Sequence, residues 1–422
     1  MNYKKTILKN GLRVITVPMK DNPTVTVLVL VETGSKYETK EKNGISHFLE
    51  HMCFKGTQMR PTAHSISAEL DGLGSQYNAF TGQEYTGYYA KSDAKHFKKI
   101  FDVVSDIYLN STFPEAEMEK EKGVIVEEIN MYEDMPHRHV QDLFMHLLFG
   151  DQPAGWNIAG TRENVRSMTR NDFVEYKKAH YVPKATTVIV AGKVKDAEVK
   201  KEIARVFGNL KSSAKSTKQK TVDTQMKPAT LVSYKKTDQT HLILGVRGVN
   251  TYDKKNPALV LLATILGGGM SSRLFIKLRE ELGVAYYVRA SNDNYTDHGA
   301  FQISAGVSND RVQEVVGEIL KECAKLRTEL VTKTELDKAK EYLAGNMKLE
   351  LESSDAWANF YGGQEVMRKK IQGPDELEKK IRRVTAKEIQ TVAKQIFVDK
   401  NLNLALIGPF EDSKVFTSKL KF

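Results

Sequence analysis

One block of this sequence occurs twice. Thr169-Arg-Asn-Asp172 opens a helix-like stretch that runs to Tyr181 and is followed by Lys184-Ala-Thr-Thr-Val-Ile-Val-Ala-Gly192. Thr385-Ala-Lys-Glu388 opens another that runs to Phe397 and is followed by Asn401-Leu-Asn-Leu-Ala-Leu-Ile-Gly408. Each copy begins with Thr and carries an acidic residue three positions on, the capping-box signature of a helix start. Each ends in a short apolar strand closed by Gly. Thr169 and Thr385 stand 216 positions apart, about half of the 422-residue chain. A repeat on that scale implies two domains of one α/β type. The stretch Ser212–Lys227 is polar, rich in Ser, Thr and Lys, and without apolar periodicity. It is expected to link a first domain, residues 1–211, to a second, residues 228–422.

Local patterns fill in the rest. Asn10-Gly11 between apolar pairs predicts a hairpin, and Thr24–Val31 reads as a buried strand. Helix patterns cover Gly44–Lys55, Ala63–Leu73, Ala94–Leu109, Glu115–Tyr132 and Val140–Leu148. Tyr77–Ala90 reads as one or two strands. In the second half Thr230–Tyr234, Leu242–Val246, Ala285–Ala290 and Ala300–Ala305 read as strands. Pro257–Leu266 and Arg273–Glu281 read as helices, which then dominate from Arg311 to Phe397. The elements do not alternate as regular βαβ units. The expected class is α+β: two similar α/β sandwich domains, each a mixed, mainly antiparallel sheet packed with helices.

Composition excludes several function classes. Apolar residues make up 41% and charged residues 27%, a globular balance that rules out a disordered, collagen-like or coiled-coil chain. The longest apolar runs, such as Ala258–Leu266, are far shorter than the ~20 residues a bilayer requires, so no membrane span is expected. Cys53 and Cys323 make neither a disulfide framework nor a CxxC metal pattern. The first residues carry no secretory apolar region, and a cytoplasmic location is expected. The net charge is +10, from 63 basic against 53 acidic residues. The lysines are dispersed, densest at Lys211–Lys220, without interleaved aromatics or a recognition motif. No nucleic-acid partner is expected.

The sharpest chemical feature is His47-Phe-Leu-Glu50-His51. On a helix, His47 and His51 lie one turn apart on one face and can ligate one metal ion. Neutral imidazoles suit Zn²⁺, and a catalytic zinc usually takes three protein ligands. Glu50 lies beside that face, where a carboxylate can take a proton from an activated water. This is the HxxEH arrangement of the inverzincins. The helix Glu115–Tyr132 offers the third ligand. Glu121 and Glu128 are seven apart on one stripe, with Val124 and Ile125 between them, and a buried carboxylate needs a charged partner or a metal. Glu128 is assigned as the third ligand and Glu121 as a group that orients a histidine or the water. Glu127 is expected in solvent, although the sequence leaves it as the alternative ligand.

His47-Phe-Leu-Glu50-His51-Met-Cys-Phe-Lys-Gly-Thr57, with Glu128 following 77 residues after His51, resembles the pitrilysin/insulinase family of zinc peptidases. That family includes the mitochondrial processing peptidases and their single-chain bacterial relatives. Ser75-Gln-Tyr-Asn78-Ala-Phe-Thr-Gly-Gln-Glu-Tyr-Thr86 resembles the family's active-site edge strand. Gly267-Gly-Gly-Met-Ser-Ser-Arg273 with Leu278-Arg279-Glu-Glu-Leu-Gly-Val-Ala-Tyr286 resembles its second-half motif. The resemblance implies a zinc metalloendopeptidase with one Zn²⁺ per chain, held by His47, His51 and Glu128, and with Glu50 as general base. It implies that Asn78, Ala79 and Phe80 bind substrate backbone. It also implies that Arg279 and Tyr286 reach the substrate, with Tyr287 as the competing choice. Peptides are the implied substrates. Two related chains, as a homodimer or heterodimer, would close a clam-shell chamber. Adding 216 to His47, Glu50 and His51 gives Ala263, Leu266 and Gly267, so no metal site is expected in the second copy. A relative that binds peptides without cutting them is the rival reading, and the intact Glu50 argues against it.

Overall fold

In the computed structural model, which describes residues 2–422, the Asn10-Gly11 turn joins β1 (Lys4–Ile7) to β2 (Arg13–Pro18) as an antiparallel pair. Gly11 adopts φ +92°, a conformation that glycine takes without steric cost. With β3 (Thr24–Val31), β4 (Gln76–Thr81), β5 (Thr86–Asp93) and β6 (Thr186–Gly192) they form a six-stranded sheet in the order β1-β2-β6-β3-β5-β4. A second sheet takes β7 (Ala229–Tyr234), β8 (Gln239–Arg247), β9 (Ala285–Asn294), β10 (Gly299–Ser308) and β11 (Asn403–Gly408) in the order β7-β11-β8-β10-β9. Without β1 the two orders are the same. β2 and β6 run parallel, as do β7 and β11, and every other pairing is antiparallel. The 216-residue offset carries Arg13, the first residue of β2, onto Ala229, the first residue of β7. The fold is α+β with two mixed, mainly antiparallel sheets, as the repeat implies.

The helices that position the site are α1 (Ile45–Cys53), α2 (Glu115–Asp134), α3 (Pro136–Phe149), α4 (Arg170–His180), α5 (Asn256–Gly267), α6 (Ser354–Arg368) and α7 (Ala386–Ile396). Both expected capping boxes form. Thr169 and Asp172 start α4 and Thr385 and Glu388 start α7, each side chain bonding the other's backbone N–H. In α5, Ala263, Leu266 and Gly267 are buried in an apolar core and offer no ligand atoms.

The two compact units are not consecutive halves. One comprises residues 2–130, Asn157–Gln219 and Lys348–Gly373; the other comprises Met131–Trp156, Lys220–Met347 and Pro374–Phe422. The chain therefore passes between them five times, where the composition suggested one passage at 212–227. One crossing, at Gln219–Lys220, does fall in that polar stretch. Two others fall inside α2 and inside the helix Lys333–Glu350, where a continuous helix leaves no break in composition.

The physical reason lies in the strands. Every residue of β6, and every residue of β3 after Thr24, is buried, so the sheet is apolar on both faces and must be covered twice. In the first unit, α6 covers one face: Trp357, Ala358 and Tyr361 pack on Ile15, Leu28, Leu30 and Ile189. Gly362 lets the helix settle, because a Cβ there would stand 2.8 Å from Leu30 Cδ1. In the second unit, α3 plays the same part. Val140, Phe144 and Leu148 pack on Ile243, Ala300, Ala405 and Ile407.

Polar contacts fix α6 in register. Ser354 Oγ lies 2.9 Å from the Thr24 hydroxyl and 2.8 Å from that of Thr26. Lys5 Nζ donates to both oxygens of the buried Glu365 at 2.8 Å, and Arg13 Nε lies 3.8 Å away. Arg13 and Lys369 both pair with Glu32. Removing one member of such a network strands the others in low dielectric. Glu365→Ala is expected to destabilise the protein by about 3 kcal/mol, measured by urea unfolding. A loss below 1 kcal/mol would show that the network is solvated.

Candidate metal centre

Helix α1 starts where a carboxylate replaces the usual cap. Glu38 accepts from the backbone N–H groups of Gly44 (2.8 Å) and Ser46 (2.8 Å) and from Asn43 Nδ2 (2.9 Å). These are orphan donors of a helix start, and burial pushes the Glu38 carboxyl up to about 7 although the hydrogen bonds from Ser46, Gly44 and Asn43 oppose it. Gly44 has φ +102°, and a Cβ there would lie 2.5 Å from the Ala159 carbonyl. Of the nine residues of α1, Ile45, Ser46, Phe48, Leu49, Met52 and Cys53 are buried. Only His47, Glu50 and His51 are open to solvent in part. Phe48 packs edge-on to Phe173 of α4, and Ser46 Oγ meets Tyr176 of α4 at 2.7 Å. The apolar side of α1 thus fixes the orientation of its three chemical side chains.

Helix α2 faces them with two carboxylates. Glu128 Oε2 lies 3.7 Å from His47 Nε2 and 3.6 Å from His51 Nε2. With Zn–N and Zn–O bonds of about 2.0–2.2 Å, donors of a tetrahedral set lie about 3.3–3.6 Å apart. The three atoms fit one ion, and among the described residues no other group of three His, Cys, Asp or Glu side chains does. Glu121 is buried behind them. Its Oε1 accepts from His51 Nδ1 at 2.9 Å and its Oε2 from Lys55 Nζ at 2.6 Å. That bond leaves the His51 Nε2 lone pair free for a metal. Glu127 is exposed, as expected. Val124, expected on the stripe between Glu121 and Glu128, is exposed instead, and only Ile125 is buried there.

The charges follow from burial and pairing. Burial, with the neighbouring His51 charge, pushes His47 down to about 3, so its imidazole is neutral. Burial also opposes charge on His51. The Glu121 hydrogen bond and the charges of Glu50 and Glu128 outweigh it and hold His51 above the usual value. Burial raises Glu50 although Thr81 hydrogen-bonds to it. For Glu121, burial is outweighed by His51 and Lys55, and the carboxyl is held below its ordinary value.

Asn78, Ala79 and Phe80 lie on β4, which pairs with β5 alone and forms the sheet edge. The next residue, Thr81, donates from Oγ1 to Glu50 Oε2 at 2.5 Å. Thr81, Glu38 and Lys55 were not singled out in the sequence. Lys55 follows His51 by four and was open to the same helix-face argument; Thr81 and Glu38 depend on chain folding and carry no local signal.

Arg279 and Tyr286 belong to the second unit and meet each other there. Arg279 lies in a π-helical turn, Ile276–Glu281, within the stretch expected as ordinary helix, and its Nη1 donates to the Tyr286 carbonyl. Tyr286 is 54% exposed on edge strand β9. Tyr287 points the other way, its hydroxyl 3.0 Å from His241 Nδ1, and burial pushes it up to about 12. Cys53 is buried, and its thiol donates to Tyr88 at 3.5 Å, away from the metal face.

Comparison with known proteins gives two family matches. Residues 13–162 match the insulinase family, peptidase family M16, and residues 167–343 match the M16 inactive domain. An uncharacterized zinc protease of Bacillus subtilis is 36% identical over 96% of this chain and 98% of its own length. One from Rickettsia felis is 35% identical over 97% and 98%. The crystal structure of a protease from Helicobacter pylori superposes with a TM-score of 0.91 at 25% identity, covering 97% of this chain and 99% of that one. The crystal structure of a peptidase M16 inactive domain from Pseudomonas fluorescens shares the fold, with a TM-score of 0.89 at 17% identity over 98% of this chain and 100% of that one.

The carboxylate behind His51 gives a prediction. Glu121→Gln is expected to weaken zinc binding by about 10- to 100-fold while the fold is retained. Competition with a chromophoric chelator measures this; unchanged affinity would mean that Glu121 does not orient a ligand.

Proposed function

The chain belongs to the insulinase family of peptidases, family M16, and from that premise we propose that it is a zinc-dependent endopeptidase acting on peptides or unfolded polypeptides. One observation carries the reading: two imidazole nitrogens and a carboxylate oxygen converge on one point, with the half-buried Glu50 on the same helix face. His47, His51 and Glu128 would hold the ion. When bound, zinc supplies a Lewis acid that polarises a peptide carbonyl and makes water acidic enough to attack near neutral pH.

The chain's own residues do the rest. Glu50 Oε2 is engaged by Thr81, which leaves Oε1 to take the proton of the attacking water. The same oxygen then hands that proton to the leaving amine. Burial raises the basicity of Glu50 above that of an ordinary carboxylate, which suits a base working near neutrality. The free side of β4 at Asn78–Phe80 offers backbone N–H and C=O groups to an extended peptide, a recognition mode that tolerates varied side chains. The family resemblance assigns Arg279 to peptide carbonyls and the Tyr286 phenol to the developing oxyanion. It also suggests that two related chains enclose a chamber that selects substrates by size. No helix among the described residues is long and apolar enough to cross a membrane. Both cysteines are buried and free, in keeping with a reducing cytoplasmic location.

Glu50→Gln tests the assignment. The variant is expected to keep one zinc per chain and to lose about 10²- to 10⁴-fold in kcat on an unstructured peptide. In the wild type, cleavage should stop with a chelator and return with Zn²⁺. Undiminished turnover by zinc-loaded Glu50→Gln would remove Glu50 from the mechanism.

A further inference from the structure

A cavity bordered by α4 lies in the first unit. It has a volume of about 420 Å³, at the small end of the range for ligand pockets. Arg170, Lys177, Lys178 and Lys211 line it, and no Asp or Glu does. None of the four forms an ion pair among the described residues. Lys177 Nζ reaches only neutral acceptors, the Leu109 carbonyl at 3.3 Å and Ser111 Oγ at 3.1 Å, and lies 5.2 Å above the ring of Phe113. An ammonium carries three donors, and two are used. Arg170 spends Nε on the Phe113 carbonyl and Nη2 on the Thr112 carbonyl, both at 3.0 Å. The nearest buried acid, Asp106, is already held by Arg60 at 2.8 Å and Thr57 at 2.6 Å.

Two further features set this cluster apart from a solvated lysine surface. Phe113 has φ +50°, a left-handed conformation that costs energy in a bulky side chain and persists where the surroundings enforce it. That backbone turns its carbonyl to Arg170 while its ring lies under Lys177. Tyr181 also lines the cavity, its hydroxyl engaged by Tyr88 at 2.8 Å. Burial holds the Lys177 ammonium below the ordinary lysine value, although the nearby Cys53 and Asp106 pull the other way. Lys177 is part-buried and Arg170, Lys178 and Lys211 are exposed, so an anion entering the cavity would meet four cations and no lining carboxylate.

We propose that this pocket binds a small organic dianion, with Arg170, Lys177, Lys178 and Lys211 contacting its charged groups and Phe113 and Tyr181 flanking its carbon frame. A phosphate monoester and a dicarboxylate share this chemistry. The site is independent of peptide hydrolysis, though one helix serves both: α4 borders the pocket and also supplies Tyr176, which holds Ser46 of α1.

The test is calorimetric titration of the zinc-loaded protein with phenyl phosphate, with isophthalate and with neutral benzamide. One or both dianions should bind saturably with a Kd below about 1 mM, and benzamide should not bind. Phenyl phosphate alone would identify a phosphate ester as the ligand class, and isophthalate alone a dicarboxylate. Lys178 and Lys211 are exposed, so the double variant Lys178→Gln/Lys211→Gln should fold normally and lose about fivefold or more in affinity. Lys177→Met should lose more. Absence of saturable binding, or binding unaltered in the double variant and hence located elsewhere, would overturn the proposal.

Discussion

A sheet whose two faces are both apolar has to be covered twice, and the organisation of this protein follows from that requirement. β3 and β6 bury side chains on both sides. One face is closed by helices near in sequence, among them α1. The other is closed in each unit by a helix that leaves the neighbouring stretch of chain: α6 in the first unit, α3 in the second. Burying large apolar side chains contributes about 1.5–3 kcal/mol each, so Trp357 and Tyr361 alone give α6 a strong reason to stay. Glu365, Lys5 and Arg13 add register rather than bulk energy.

That packing also determines where polar groups can survive. α1 is sealed on its inner side by Phe48, Leu49 and Met52, and its first N–H groups are taken up by Glu38. What remains open is one face bearing His47, Glu50 and His51. Each is matched: His51 by Glu121, Glu50 by Thr81, and the two imidazoles by Glu128 at a spacing an ion can bridge. Glu121 is in turn neutralised by Lys55. A site of half-buried charges is stable only when such a chain of partners closes.

Much of this was legible in the residues, and for identifiable reasons. Repeats with matching caps state their period directly, and the offset of 216 places β2 on β7 to the residue. Helical spacing puts His47, Glu50 and His51 on one face because three and four residues make about one turn. The seven-residue step from Glu121 to Glu128 works for the same reason. The exchange of α3 and α6 was not legible, because both boundaries around Asn130 and Met347 run through unbroken helices. Nor was the Glu38 cap, since a carboxylate six residues before Gly44 has no periodic relation to α1. The Thr81 contact depends on the hairpin of β4 and β5 bringing a strand end over a helix, which spacing along the chain does not encode.

The central claim is that two imidazoles and one carboxylate hold a single zinc ion on α1 and α2. X-ray absorption at the zinc edge, on protein loaded with one equivalent, tests it most directly. The account predicts two imidazole nitrogens and carboxylate or water oxygens at about 2.0–2.2 Å with no sulfur, a signature that changes in His51→Ala. A sulfur scatterer at about 2.3 Å, or a spectrum unchanged by that substitution, would place the metal elsewhere and contradict the account.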